Sequence, residues 1–68
     1  MIIHVNGRPR EVAPPVRLSE VLELSWSGIA PRGVAVAVNG QVIPRSQHAD
    51  IELTEGARVE IVTAVQGG

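Results

Sequence analysis

Sixty-eight residues with six Arg, no Lys, seven acidic side chains and a net charge of −1 fit one small domain, of a size that buries only about 60% of its unfolded surface. The near-neutral balance and the lack of any basic run give nucleic-acid binding little electrostatic support, and the longest apolar run, Val34 to Val38, is far too short for a membrane span. The absence of cysteine removes disulfides, Cys-based metal sites and thiol nucleophiles. Likewise, the absence of lysine leaves no ε-amine for Schiff-base chemistry or as a side-chain acceptor for a conjugated modifier. His4, Asn6 and Arg8 interrupt the first residues where a signal peptide would need an apolar stretch, so a cytoplasmic location is expected.

Along the chain, Ile2 to Val5 is short and β-branched, and Asn6-Gly7 follows at once. Asn-Gly between two such runs predicts a type I′ hairpin, because both turn positions need positive φ. Arg8 to Val12 is the return strand, with Pro9 suited to a sheet edge. Ala13-Pro14-Pro15 breaks the sheet. Leu18, Val21, Leu22 and Ser25-Trp26 then fall at helical spacing with Glu20 and Glu23 outside the stripe, predicting about two helical turns. The helix start is poorly signalled, since Arg17 stands where a capping Ser or Thr is favoured, and Ser19 is the alternative cap. Trp26, the only aromatic residue, is expected over one end of the core.

Ser27-Gly28 and Pro31-Arg32-Gly33 read as loop, after which Val34 to Val38 alternates valine with alanine. Which of those two faces meets the core is open at this stage. Asn39-Gly40 repeats the hairpin signal, and Gln41-Val42-Ile43 returns until Pro44. Turn chemistry accounts for the recurrence of Val-Asn-Gly without invoking duplication. Arg45 to Asp50 is a polar surface connection, and Ile51 and Leu53 bracket Glu52 with both apolar side chains inward. Glu55-Gly56 turns into the last strand, where Val59, Ile61 and Thr63 alternate with Glu60, Val62 and Ala64. The order is hairpin, helix, hairpin, closing strand. A single apolar helix stripe must be buried on one face of a mixed sheet, and the first and last strands are the natural central pair. The predicted fold is therefore α+β, a ubiquitin-like β-grasp with four to five strands, one helix on one face and a flexible Gly-Gly tail. Residues 1–64 are expected to form the domain and 65–68 the tail.

The inventory for an enzyme is poor. His4 and His48 lie far apart with no ligand-like grouping, no Ser or Thr matches a triad spacing, and Gly28 and Gly33 make no phosphate cradle. The reactive candidate is the ending Val65-Gln66-Gly67-Gly68. Glycine, lacking Cβ, keeps such a tail thin and mobile, so Gln66 and Gly67 can thread a narrow channel. A terminal Gly68 carboxylate, ionised at neutral pH, can attack the α-phosphate of ATP held by a partner, and sulfide displacing AMP then leaves a thiocarboxylate. Val62 and Val65 are expected near the surface beside the tail, as a docking patch.

Val34 to Arg45 (VAVAVNGQVIPR) with Ser46, Arg58 to Gly68 (RVEIVTAVQGG), the opening MIIHVNGRPRE and the helix Leu18 to Leu22 together resemble the sulfur carrier protein of thiamine biosynthesis, the ThiS family, over the whole chain. The resemblance implies a carrier with no active site and no bound cofactor of its own. In that scheme Gly68 is adenylated by an E1-like adenylyltransferase using ATP, a cysteine desulfurase is the sulfur source, and thiazole synthase receives the sulfur. Two residues depart from the family pattern: Arg17 in place of Thr or Ser before the helix, and His48 where an aromatic often follows Pro-Arg-Ser. The alternatives are the small subunit of molybdopterin synthase and a ubiquitin-like modifier or binding module. The first tends to carry aromatic and proline residues before the glycines, which Thr63-Ala64-Val65-Gln66 does not.

Overall fold

The structure, a computed structural model, describes residues 1–25 and 34–63. Trp26, the 27–33 loop, Ala64 and the 65–68 tail lie outside the described residues.

Strand β1 (Ile2–Val5) turns at Asn6-Gly7 into β2 (Arg8–Glu11), and α1 (Leu18–Ser25) follows after the Pro14-Pro15 crossing. Strands β3 (Val34–Val38) and β4 (Gln41–Val42) form the second hairpin, a 3-10 turn spans Arg45–Gln47, and β5 (Arg58–Thr63) closes the sheet. The order is β2-β1-β5-β3-β4, with β1 and β5 parallel and every other pair antiparallel. The expected β-grasp with β1 and β5 in the middle is what the chain adopts.

Both hairpin turns have the type I′ signature, with φ of +51° and +83° at Asn6 and Gly7 and +52° and +84° at Asn39 and Gly40. A Cβ added to Gly7 or Gly40 would meet nothing within 4 Å, so backbone conformation and not space makes glycine the fit there. In the first hairpin Met1 and Val12 exchange both backbone bonds, at 3.1 and 2.8 Å. The rungs then alternate along the ladder, which leaves the His4–Pro9 pair between rungs. Proline's missing donor therefore faces the open edge of β2, where it costs nothing and discourages strand addition.

Val36, Val59 and Ile3 from three adjacent strands pack against Leu18, Val21 and Leu22 of α1, and Val16, Leu53 and Ala57 complete the buried core. Val5, Val34, Val38, Ile43, Ile51 and Ile61 pack against it while partly exposed. The branched face of β3 is thus the core face, which resolves the alternation the sequence left open. Each fully buried Val, Leu or Ile is worth about 1.5–3 kcal/mol relative to exposure, so few such residues suffice for a domain of this size.

The helix start differs from the expected Ser cap. Ser19 is the second helical residue, and its N–H donates to the His48 carbonyl at 3.0 Å, while the Leu18 N–H donates to the Ile51 carbonyl at 2.8 Å. Glu20 Oε1 accepts the Arg17 N–H at 3.0 Å, half of a capping box. The orphan donors of α1 are satisfied by the 48–51 connection, by the Glu20 carboxylate and, for the Glu20 N–H, by the Arg17 carbonyl at 3.0 Å, so no cap hydroxyl is needed. Among the described residues no helix is long and apolar enough to cross a membrane.

Candidate functional site

The site is the end of β5 and the sheet face beside it, because β5 is the strand from which the chain runs on to Gly68. Two turns hold this strand from opposite sides. Val5 and Val38, the residues before the two Asn-Gly turns, both pair with Val59. On the β1 side the Asn6 N–H donates to the Val59 carbonyl at 2.8 Å. The Asn6 carboxamide then accepts the Ile61 N–H at 2.7 Å through Oδ1 and donates to the Ile61 carbonyl at 3.3 Å through Nδ2. On the β3 side the Asn39 N–H donates to the Arg58 carbonyl at 2.8 Å, and Asn39 Oδ1 accepts the Arg58 N–H at 2.9 Å. Each turn leads its own strand away from β5, and each asparagine side chain supplies the rung that is lost.

The face of the sheet opposite α1 is uncovered among the described residues. Directly paired residues share a face, so Ala35 lies beside Val62, and Ala37 lies between Glu60 and Val42. This makes an apolar strip across β5, β3 and β4, with Val62 60% and Val42 69% exposed. Arg58, Glu60 and His4 adjoin it. His4 pairs in register with Arg58 and is half-buried, with its Nδ1 buried and without a hydrogen-bond partner.

Of the residues the sequence singled out, Val62 is exposed as expected; Val65, Gln66, Gly67 and Gly68 lie outside the described residues. His48 takes a structural place: the Ile43 carbonyl can only accept, so Nε2 at 3.1 Å carries the proton and donates. Among the described residues no group of three His, Asp or Glu side chains gathers to hold a metal. Sequence reasoning missed the second role of the two asparagines. The signal is the repeated Val-Asn-Gly, for which turn chemistry alone is already a sufficient reason.

A model of the ThiS family matches residues 3–68. The crystal structure of the thiamine biosynthesis protein ThiS from Geobacter metallireducens superposes with a TM-score of 0.81 at 28% identity, covering 100% of both chains. A solution structure of a thiamine biosynthesis protein from the same organism gives 0.73 at 30% identity, covering 100% of this chain and 88% of that one. Two curated relatives are thiazole synthases: one from Paramagnetospirillum magneticum, 32% identical over 69 residues, and one from Magnetococcus marinus, 34% identical over 68 residues. Each match uses 100% of this chain but only 20% of the relative, so the chain spans about a fifth of the length of these synthases.

Proposed function

The chain belongs to the ThiS family, and from that premise we propose that it carries sulfur to thiazole formation as a thiocarboxylate on Gly68. The observation that carries the reading is that the family match runs through the final Gly67-Gly68 pair. The working form ends at Gly68, and an E1-like adenylyltransferase threads Gln66, Gly67 and Gly68 into its ATP site. The Gly68 carboxylate attacks the α-phosphorus of ATP and expels pyrophosphate. Sulfide then adds to the acyl-adenylate carbonyl, and AMP leaves with the electron pair of the broken C–O bond. The product is a thiocarboxylate; its sulfur is drawn from the persulfide of a cysteine desulfurase, which a thiol reductant releases as sulfide while being oxidised to a disulfide.

The acceptor is a thiazole synthase. Support for this comes from the two relatives named thiazole synthase, in each of which about a fifth of the length is a counterpart of this chain. Joining two modules in one chain raises their effective concentration without new contacts. A carrier not joined to its synthase must find it by docking, and the apolar strip of Val62, Ala35, Ala37 and Val42 is the surface suited to that, with Val65 a further proposed contact. An apolar strip that includes the strand leading to Gly68 lets one face serve the adenylyltransferase and the synthase in turn.

Mass spectrometry of the protein isolated from cells under non-reducing conditions tests the reading. The expected mass is that of a chain ending at Gly68 with one oxygen replaced by sulfur. An isopeptide conjugate at Gly68 would establish the modifier alternative, and a chain continuing past Gly68 would overturn the carrier mechanism.

A further inference from the structure

Strand β5 is paired on its β1 side only as far as Val59, because β1 ends at Val5 and the chain reverses through Asn6-Gly7. The Ile61 N–H and carbonyl both point toward that side and find no backbone there; they bond the Asn6 carboxamide at 2.7 and 3.3 Å instead. A carboxamide presents one acceptor and donor groups in a plane, as a peptide unit does. The Asn6 side chain thus stands in for the missing rung, 55 positions away in sequence. Its turn position at φ +51° also requires a residue that tolerates left-handed backbone, which asparagine does.

Resting on the carrier reading above, we propose that Asn6 is a positioning residue for the reactive tail. It closes the β1-side edge of β5 at Ile61, two residues before the strand's last pair with β3 at Val34–Thr63, so that both sides of the strand are held where it leads toward the tail. Five residues follow Thr63 as far as Gly68, a reach of at most about 18 Å when extended. On a tether this short, where the root is held decides how much freedom must be given up when Gly68 is seated in a partner. That ordering cost falls on binding, ahead of chemistry.

Asn39 supplies an internal control, because it makes an equivalent side-chain bond to β5 at Arg58, three residues earlier and away from the tail. The variants are Asn6→Gly and Asn39→Gly, which remove the side chains while keeping positive φ free of strain. Two measurements are made on each.

Amide hydrogen exchange on the isolated protein should show the Ile61 N–H exchanging about tenfold faster in Asn6→Gly, as expected for a lost hydrogen bond at a locally opening strand end. In Asn39→Gly the same amide should be unchanged. Steady-state adenylation by the adenylyltransferase should show KM for the carrier raised about five- to tenfold in Asn6→Gly with kcat unchanged, the mark of lost binding rather than lost chemistry. Asn39→Gly should leave both constants alone. Asn6→Asp, which keeps the acceptor for the Ile61 N–H and loses the donor, should fall between wild type and Asn6→Gly, and it serves as the primary variant if Asn6→Gly does not fold.

Unchanged Ile61 exchange in Asn6→Gly, or equal KM effects in the two glycine variants, overturns the positioning role. A wild-type chain that accepts no adenylate in the same assay overturns the carrier reading, and the delivery role of Asn6 falls with it even where the exchange difference persists.

Discussion

Glu20 supplies from inside α1 the half of a capping box that reaches back to the residue before the helix, with no Ser or Thr supplying the other half. Its carboxylate accepts the Arg17 N–H, and Arg17 in turn donates through Nη1 to the Ala49 carbonyl at 3.0 Å. Arginine before the helix, which looks like a missing cap in the sequence, is the residue that ties the helix entry to the 48–51 connection. Glu20→Ala should cost about 0.5–1 kcal/mol, the ordinary worth of an N-terminal capping contact, whereas Glu20→Gln, which keeps an acceptor, should cost less. Urea unfolding reads both as a shift in midpoint at constant slope. Equal losses for Ala and Gln would show that the carboxamide oxygen cannot replace the carboxylate at Arg17.

At the scale of elements, β5 organises the sheet: its core side carries Val59 and Ile61, and its open side carries Glu60 and Val62. Ile61→Ala should destabilise by about 2 kcal/mol, the lower end for a large-to-small change because Ile61 is only partly buried, while Leu18→Ala in the fully buried stripe should cost about 3–5 kcal/mol. Thermal unfolding should rank them in that order. Val62→Asp, on the exposed side, should leave the circular dichroism spectrum native, and in the proposed docking role it should weaken capture by the adenylyltransferase about tenfold or more. Loss of fold would mean that Val62 supports the core. These faces were legible because strands alternate with period two and the helix stripe repeats at three and four residues. The sheet order was legible because hairpins leave few partners for a closing strand. What could not be read was any bond between residues far apart in sequence. The helix cap from His48 and Ile51 and the asparagine rungs on β5 depend on which loops the finished fold brings together. The reactive ending was legible as composition, and its chemistry rests on the family rather than on geometry.

For the molecule as a whole, the buried core among the described residues runs from Ile3 to Val59. Deletion of Gly68 is the change that tests whether stability and carrier chemistry are separable. The truncated chain should unfold at the wild-type midpoint, yet take no adenylate from ATP and the adenylyltransferase. Gly67→Val should fold equally well and be adenylated more slowly, since a β-branched side chain restricts the backbone and thickens the segment that must enter the ATP site. The lack of cysteine makes the sulfur step readable in the same preparation. After ATP, enzyme and sulfide are supplied, iodoacetamide under mild conditions should alkylate the wild-type chain once, because the thiocarboxylate reacts far faster than the Met1 thioether, the one other sulfur in the sequence. Neither the unreacted chain nor the Gly68 deletion should be labelled, and labelling of the deleted chain would place the sulfur elsewhere and end the case for Gly68.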